Sequence, residues 1–209
     1  MTCLDLEGTL VPEIWICVAE KTGIEELRLT TREEPDYDAL MDRRLAILDR
    51  HGLGLSHIQD VIGAMEPFAG ARDFISWLRT RSQIVVLSDT FYEFAAPLME
   101  RLDWPTLFCN RLKVDGEGRV TGCIIRAPDH KRQAVKAFQG LNYKVFAAGD
   151  SFNDTRMLEQ ADRGALFRAA EAVARQFPGL PHYQTYGELK SALLDAMDSW
   201  ADEGNSIKQ

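Results

Sequence analysis

The 209-residue sequence lacks several features that would mark particular classes of protein. No stretch approaches the ~20 apolar residues of a membrane span, and the chain does not open on a basic segment followed by an apolar one, so no membrane anchor or secretory signal is expected. Positive charge is also scarce, since 24 Lys and Arg stand against 32 Asp and Glu and give a formal net charge of −8. That field repels nucleic acid and anionic membranes. We therefore expect a cytoplasmic protein that has neither as a partner.

The four cysteines do not form the pattern of a metal site. Cys3, Cys17, Cys109 and Cys123 include no C-x-x-C pair, and the four histidines are not grouped with them in the sequence. A zinc site is therefore poorly supported, and free thiols in a reducing compartment are the simpler interpretation. The sequence also lacks G-x-x-x-x-G-K-[ST], which argues against a P-loop kinase.

What the sequence does contain is a globular composition and, after Pro67, an alternation of strands and helices. Hydrophobic residues make up 45% and charged residues 27%, which allows a sizeable core. Apolar runs at 84–87, 144–148 and 165–167 predict strands, and amphipathic stretches between them predict helices. A hairpin is predicted around the turn 115–118. Such alternation is typical of an α/β fold with a mostly parallel sheet covered by helices on both faces.

Residues 12–66 differ from the rest of the chain in the spacing of their apolar residues. Apolar residues there recur at helical spacing, with charged residues between them and breaks at Gly23, Pro35 and 51–54. We predict that this segment, called the helical insert below, is an all-helical insert after the first strand. Residues 1–11 and 67–209 then form the α/β core, and the polar tail at 201–209 is predicted to fray.

Three predicted strands end in polar loops, and the first of these strands is the short apolar run at 1–6. They contribute Asp5 and Glu7, then Ser88 and Asp89, and finally Asp150, Asn153 and Asp154. Because ligands bind at the carboxyl ends of the strands in such sheets, we expect these loops to meet. Carboxylates brought so close would repel one another, and a divalent cation bound by oxygen, Mg²⁺, would relieve the repulsion.

Together these loops have the chemistry of phosphoryl transfer. A carboxylate such as Asp5 can attack phosphorus and form an aspartyl-phosphate, and Glu7 can act first as general acid and then as base. Ser88 can hold phosphate oxygens, and Lys131 supplies positive charge. Each part alone has a more ordinary explanation, as a surface acid pair, a helix cap or a solvated lysine. Their order along the chain favours a Mg²⁺-dependent phosphoryl-transfer enzyme.

The same residues carry a family resemblance. DLEGT (5–9), LSDT (87–90), HKR (130–132) and GDSFND (149–154) resemble the four motifs of the haloacid dehalogenase superfamily. The helical insert resembles the cap of its phosphoserine phosphatase branch. The segments LVPEIWI, PDYDALM and LSDTFYEF are similar to the type that combines phosphoserine phosphatase with homoserine phosphotransferase activity, and the similarity spans nearly the whole chain.

The resemblance implies a role for each matching residue. Asp5 is implied to be the nucleophile and a Mg²⁺ ligand. Glu7 is implied to be the acid/base and to bind the metal through its main-chain carbonyl, and Asp150 to be the third protein ligand. Ser88 and Lys131 are implied to bind phosphate.

The remaining matches concern orientation and substrate choice. Asn153 and Asp154 are implied to orient the metal-bound waters, the lysine and the phosphoryl group. Glu13 and Arg44 in the helical insert look like the pair that holds the amino and carboxyl groups of phosphoserine, since each offers the opposite charge. The adjacent Arg43 stays an alternative.

Two departures from the family pattern bear on the activity. Glu7 stands where Asp is usual, and its extra methylene moves the carboxylate by about 1.5 Å. This favours an acceptor hydroxyl over water, so we expect transfer to homoserine beside hydrolysis. Asp89 and Thr90 replace the usual small residues and narrow the pocket, which makes Asp89 a candidate substrate-binding residue. The alternatives are a phosphatase for another small ester, such as a sugar phosphate, and a non-catalytic binding protein of the same fold. The oligomeric state, a homodimer included, is left open.

Overall fold

The structure, a computed structural model, describes residues 1–30, 33–34 and 36–206, with side chains as far as residue 203. Seven strands of these described residues form one sheet in the order β4-β3-β2-β1-β5-β6-β7. Their bounds are β1 (Thr2–Leu4), β2 (Ile84–Phe91), β3 (Thr106–Val114), β4 (Val120–Ile124), β5 (Phe146–Gly149), β6 (Arg163–Phe167) and β7 (His182–Tyr183). All neighbouring strands are parallel except β3 and β4, which form the predicted antiparallel hairpin.

Helices connect and cover the strands. Their bounds are α1 (Ile14–Thr22), α2 (Tyr37–Arg50), α3 (Leu55–Gly63), α4 (Ala71–Arg79), α5 (Tyr92–Arg101), α6 (His130–Gly140), α7 (Thr155–Gln160), α8 (Glu171–Gln176) and α9 (Tyr186–Ser206). Short 3-10 turns occupy Glu25–Arg28 and Phe152–Asp154. The predicted α/β class with a mostly parallel sheet is confirmed.

The central strand β1 is buried on both faces. Its residues pair with β2 on one side and with β5 on the other. Because successive side chains of a strand point to opposite faces, Leu4 packs into the apolar core on one face and Cys3 into the core on the other. Burial on both faces explains why the strands are recognisable as continuous apolar runs.

The helical insert contains α1, α2 and α3. The helix α1 ends at Gly23, whose φ of 71° is a left-handed conformation that glycine adopts at little cost. The side chain of Asp36 accepts hydrogen bonds from the main-chain N–H groups of Asp38 and Ala39 and so caps the start of α2. The helix α3 packs on α5, and α2 lies against β4. The predicted break at Pro35 lies outside the described residues, and the division into core and cap stays a prediction.

Several element boundaries differ from the prediction. The strand β2 continues through Ser88 to Phe91, with a change of register after Leu87. The strand β3 begins at Thr106, and β7 was not predicted. The tail predicted to fray from Ala201 is helical as far as Ser206, and residues 207–209 lie outside the described part of the chain. Among the helices that the structure describes, none combines the length and apolarity needed to cross a membrane.

Candidate active site

The polar segments at the carboxyl ends of β1, β2 and β5 meet at one edge of the sheet. At β2 this segment is the last part of the strand itself and not the predicted loop, because β2 extends to Phe91. One cavity is lined by nearly all of the predicted site residues: Asp5, Glu7, Glu13, Arg44, Ser88, Asp89, Lys131, Asp150 and Asn153. The remaining one, Asp154, is fully buried beside them. The exposed Arg43 is not part of the lining, so the structure brings Arg44 rather than Arg43 to the site.

Lys131 contacts an acidic residue from each of the three polar segments. Its ammonium lies 2.6 Å from Asp5 Oδ1, 2.8 Å from Asp154 Oδ1 and 3.6 Å from Asp89 Oδ2. The lysine side chain comes from the start of α6 and is almost fully buried. A buried cation needs such partners because the interior does not solvate it as water does.

Three carboxylates form a cluster next to the lysine. One oxygen each from Asp5, Asp150 and Asp154 lies within 4.8 Å of the others, and all three residues are buried. Two glycines make room for this approach. A Cβ at Gly8, which has a φ of +75°, would lie 2.4 Å from the Asp150 carboxyl carbon, and a Cβ at Gly149 would lie 2.5 Å from that of Asp154. The glycines in the two motifs are thus required by the packing of the acids.

Asp154 is held from two sides. Its Oδ2 accepts hydrogen bonds from the main-chain N–H groups of Asp150 and Ser151, at 3.1 and 3.0 Å, and from the Ser151 hydroxyl at 2.9 Å. Its Oδ1 accepts from Lys131. The residue therefore fixes both the loop that carries Asp150 and the lysine ammonium.

The cluster carries more negative charge than its lysine compensates. Burial and then the neighbouring Asp154 raise the pKa of Asp5 well above its usual range, against the opposing effect of Lys131. Burial, followed by Asp154 and Glu13, raises the pKa of Asp150 to about 7. Closely spaced carboxylate oxygens with surplus negative charge are the donor set of a divalent cation. The cluster therefore fits a metal ion.

Glu7 lies at the amino end of α1. Its Oε2 accepts a hydrogen bond of 2.8 Å from the main-chain N–H of Ile14. Burial, followed by the charge of Glu13, raises the pKa of Glu7 to about 8, although the Ile14 N–H and Arg44 act in the opposite direction. A carboxyl with a pKa in this range can hold a proton near neutral pH and give it up during a reaction.

Arg44 adds a positive charge to the lining of the cavity. It donates to the main-chain carbonyl of Leu29 at 2.8 Å, and its guanidinium lies 4.5 Å from the centre of the Trp15 ring. Burial lowers its pKa to about 10, so it stays charged at neutral pH. Its Nε is buried without a hydrogen-bond partner among the described residues.

Ser88 and Asp89 occupy the last part of β2. The Ser88 hydroxyl accepts a hydrogen bond from the Thr90 N–H at 3.2 Å. Burial would raise the pKa of Asp89, but the Lys131 charge and the hydrogen bond from His130 outweigh it and lower the pKa to about 2. Asp89 therefore stays ionised, and its charge is compensated from α6.

Sequence reasoning assigned no site role to four residues near this centre: Trp15, Tyr37, His130 and Ser151. His130 is buried, and its Nε2 lies 3.0 Å from Asp89 Oδ1. Tyr37 and Arg44 are seven residues apart on α2, which is two helical turns and therefore one face. That spacing is the signal that could have found Tyr37.

Comparison with known proteins identifies the family. A family profile described as haloacid dehalogenase-like hydrolase matches residues 3–162. The chain belongs to this family.

Two curated relatives are similar over most of the chain. One is "Phosphoserine phosphatase ThrH" of Pseudomonas aeruginosa, which is 57% identical over 94% of this chain and 96% of its own length. The other is "Phosphoserine phosphatase" of Pseudomonas syringae pv. tomato, also 57% identical, over 94% of this chain and 83% of its own. Among solved structures, a phosphoserine phosphatase from T. onnurineus is 25% identical with a TM-score of 0.66, and the match covers 90% of this chain and 91% of that one.

Proposed function

We propose that this hydrolase removes the phosphoryl group from O-phospho-L-serine through an aspartyl-phosphate on Asp5. The observation that carries the proposal is the position of the buried Asp5 carboxylate, 2.6 Å from the Lys131 ammonium, in a cavity that Glu13 and Arg44 line as well. A nucleophilic group and a pair of charges suited to an amino acid thus share one small site. The names of the two 57% identical relatives support the same substrate.

The proposed reaction has two steps, transfer of the phosphoryl group to Asp5 and hydrolysis of the intermediate. Asp5 Oδ2, the oxygen not bonded to Lys131, attacks phosphorus while the bond from phosphorus to the serine oxygen breaks, and Glu7 gives its proton to that oxygen. Water then attacks the aspartyl-phosphate, Glu7 takes a proton from it, and phosphate leaves with Asp5 restored. The raised pKa of Glu7, about 8, suits a group that must be protonated in the first step and free in the second.

The acid cluster is the proposed Mg²⁺ site. Asp5, Asp150 and the main-chain carbonyl of Glu7 would hold the ion, and Asp154 and Asn153 would orient its waters. When bound, Mg²⁺ neutralises the carboxylates and the phosphate and so makes phosphorus more open to attack. The close approach of the three carboxylates supports this assignment.

The phosphate oxygens are assigned to Lys131 and to Ser88 with the amides that follow it. Asp89 is included in the substrate site through its contact with Lys131, 3.6 Å away. Because Asp89 is ionised, its carboxylate would repel a phosphate. Its role is therefore to orient the lysine that binds the phosphate. Both Ser88 and Lys131 are buried, which strengthens their effect on a bound anion.

Glu13 and Arg44 are assigned to the amino and carboxyl groups of the substrate. The buried Arg44 Nε, which has no partner among the described residues, supports a ligand there. A carboxylate can accept from two guanidinium nitrogens at once, which orients the amino acid as well as binding it.

Transfer of the phosphoryl group to homoserine is proposed as a second activity. The length of Glu7 and its tether to the Ile14 N–H support it, because the carboxylate is held toward the helical insert, where an amino-acid alcohol would bind. An alcohol bound by Glu13 and Arg44 would then be deprotonated in place of water.

The test is turnover of phosphoserine by the purified protein with Mg²⁺, followed by ³¹P NMR for phosphohomoserine when homoserine is added. We expect phosphate from phosphoserine and a new phosphohomoserine signal. Turnover of sugar phosphates without turnover of phosphoserine would overturn the proposed substrate. Failure to hydrolyse any small phosphate ester in the presence of Mg²⁺ would instead favour a binding protein.

A further inference from the structure

Tyr37 connects the helical insert to the part of β2 that carries Ser88 and Asp89. It is the first residue of α2, and its hydroxyl donates a hydrogen bond of 3.0 Å to the main-chain carbonyl of Asp89. Asp89 follows Ser88 on β2, so this single contact runs from the insert to the segment proposed to bind phosphate. Tyr37 shares its helix with Arg44, which lines the same cavity.

The acceptor of this hydrogen bond is itself held firmly in the core. Asn110 Nδ2 donates to the same Asp89 carbonyl at 3.0 Å, and His130 Nε2 lies 3.0 Å from the Asp89 carboxylate. The two contacts come from β3 and α6. The Tyr37 hydroxyl therefore holds α2 against the Asp89 carbonyl, which residues of β3 and α6 already keep in place.

Tyr37 also lies between two cavities. Together with Asp89, Lys131 and Asn153, it lines both the reaction cavity and a neighbouring cavity. The neighbouring cavity is bordered further by residues of the loop 125–129. Burial and the nearby Asp89 raise the pKa of Tyr37 above its usual value, so its hydroxyl is a donor at any working pH.

We propose that Tyr37 is a positioning residue that sets substrate discrimination. Its bond to the Asp89 carbonyl holds α2, and with it Arg44, at one distance from Asp5 and Lys131. An ester is then bound well only when its carboxyl group lies at a matching distance from its phosphate. The inference rests on the proposed function, since it takes Arg44 as the group that binds the substrate carboxylate.

The test is Tyr37→Phe, which removes one oxygen and keeps the ring. Because Asn110 still donates to the Asp89 carbonyl, no buried acceptor is left unsatisfied and the variant should fold. We expect kcat/KM for phosphoserine to fall about fivefold, the effect of one neutral hydrogen bond, mainly through KM. Hydrolysis of p-nitrophenyl phosphate, which has no carboxyl or amino group, should stay unchanged.

A matched control is Gln59→Met. Gln59 Nε2 donates to the Glu93 carbonyl at 2.8 Å and joins α3 of the insert to α5, but the residue does not line the reaction cavity. This variant should lower the melting temperature and leave the ratio of the two kcat/KM values unchanged. An unchanged ratio in Tyr37→Phe, or an equal change in both variants, would overturn the inference.

The two proposals fail in different ways. If the unsubstituted enzyme hydrolyses p-nitrophenyl phosphate but not phosphoserine, the proposed function fails, and this inference fails with it. If it hydrolyses both and Tyr37→Phe loses the two activities in equal proportion, only the role of Tyr37 is wrong. A melting temperature for each variant distinguishes a loss of activity from a loss of folding.

Discussion

Asp5 and Glu7 stand in different surroundings although a single residue separates them. Asp5 contacts the Lys131 ammonium, whereas Glu7 receives the Ile14 N–H and lies near Glu13. Burial raises the pKa of both carboxyls, but only at Asp5 does a bonded lysine directly favour the ionised form. This difference supports the proposed division of roles, with nucleophilic attack by Asp5 and proton transfer by Glu7.

The variant Glu7→Gln tests that division of roles. Gln keeps the size of the side chain but cannot donate and accept the proton, so turnover of phosphoserine should fall by about 100-fold or more. p-Nitrophenolate is a good leaving group that needs no proton from Glu7. With p-nitrophenyl phosphate the variant should therefore still give a rapid burst of about one nitrophenolate per enzyme before slow hydrolysis of the aspartyl-phosphate. Stopped-flow absorbance measures the burst. An equal loss in the burst and in steady turnover would contradict the assigned role of Glu7.

The neighbouring arginines of α2 offer a second comparison. Arg44 is buried in the cavity, while Arg43 is exposed. The variant Arg44→Lys loses the planar pair of donors for a carboxylate, and we expect KM for phosphoserine to rise about tenfold. Arg43→Lys should leave KM unchanged. Steady-state kinetics of the two variants decides between them, and a larger effect at position 43 would reverse the assignment.

Among the elements, α7 and β6 approach each other more closely than a side chain permits. A Cβ at Gly164 would lie 2.1 Å from the main-chain carbonyl oxygen of Leu158. Because the obstacle is backbone, neither element can yield without moving as a whole. This contact sets the distance between the helix that follows the Asp150 loop and the sheet.

Gly164→Ala should therefore destabilise the protein, by about 2 kcal/mol or more. Gly140→Ala is the matched control, since a Cβ at this last residue of α6 would meet no atom within 4 Å apart from those of its own helix and its chain neighbours. That variant should be neutral or slightly stabilising, because alanine favours helix. Urea unfolding of both variants gives the two free energies. Equal stabilities would show that β6 and α7 separate easily.

The predictability of the elements follows their burial. The strands β1, β2 and β5 are buried runs and were predicted from their apolar residues. The start of β3 was not predicted because its apolar run, Leu107 to Cys109, is only three residues long and is followed by polar residues. The two-residue strand β7 is half-buried and too short to produce a pattern. Short and exposed strands depend on their neighbours, which local sequence does not report.

At the scale of the whole molecule, the buried acid cluster lowers the stability of the folded protein at neutral pH when no cation is bound. The folded-state pKa of Asp150, about 7, lies above the ordinary value near 3.9. Folded protein then binds the proton more tightly than unfolded protein, so this group lowers stability as pH rises from about 4 to about 7. A bound divalent cation would remove the penalty.

We accordingly expect the chelator-treated protein to melt at least about 3 °C lower at pH 8 than at pH 6. Added Mg²⁺ should raise the melting temperature more at pH 8 than at pH 6. In Asp150→Asn, both the pH dependence and the effect of Mg²⁺ should be smaller. Differential scanning calorimetry provides the measurement. An equal effect of Mg²⁺ on the variant and on the unsubstituted protein would argue against metal binding at the cluster.

The part of the site that lies at strand ends was predictable, and the part that the helical insert contributes was less so. That Asp5, Ser88 and Asp150 meet follows from a parallel sheet alone. The contact of Tyr37 with Asp89, 52 residues away, depends on how the insert packs over the core. No local pattern specifies that packing, so the spacing from Arg44 could suggest the residue but not its partner.

The central position of β1 has a consequence for the order in which the molecule assembles. The strand β1, which directly precedes Asp5, is paired on both sides only when residues 84–86 and 146–148 have joined it. Pairing over such separations is slow, since a long loop must close before the contact forms. During synthesis, the segment bearing Asp5 is made early but lacks its partner β5 until some 140 further residues have followed. The proposed nucleophile and the acid loop of Asp150 thus come together late in folding, so partly folded chains should be inactive.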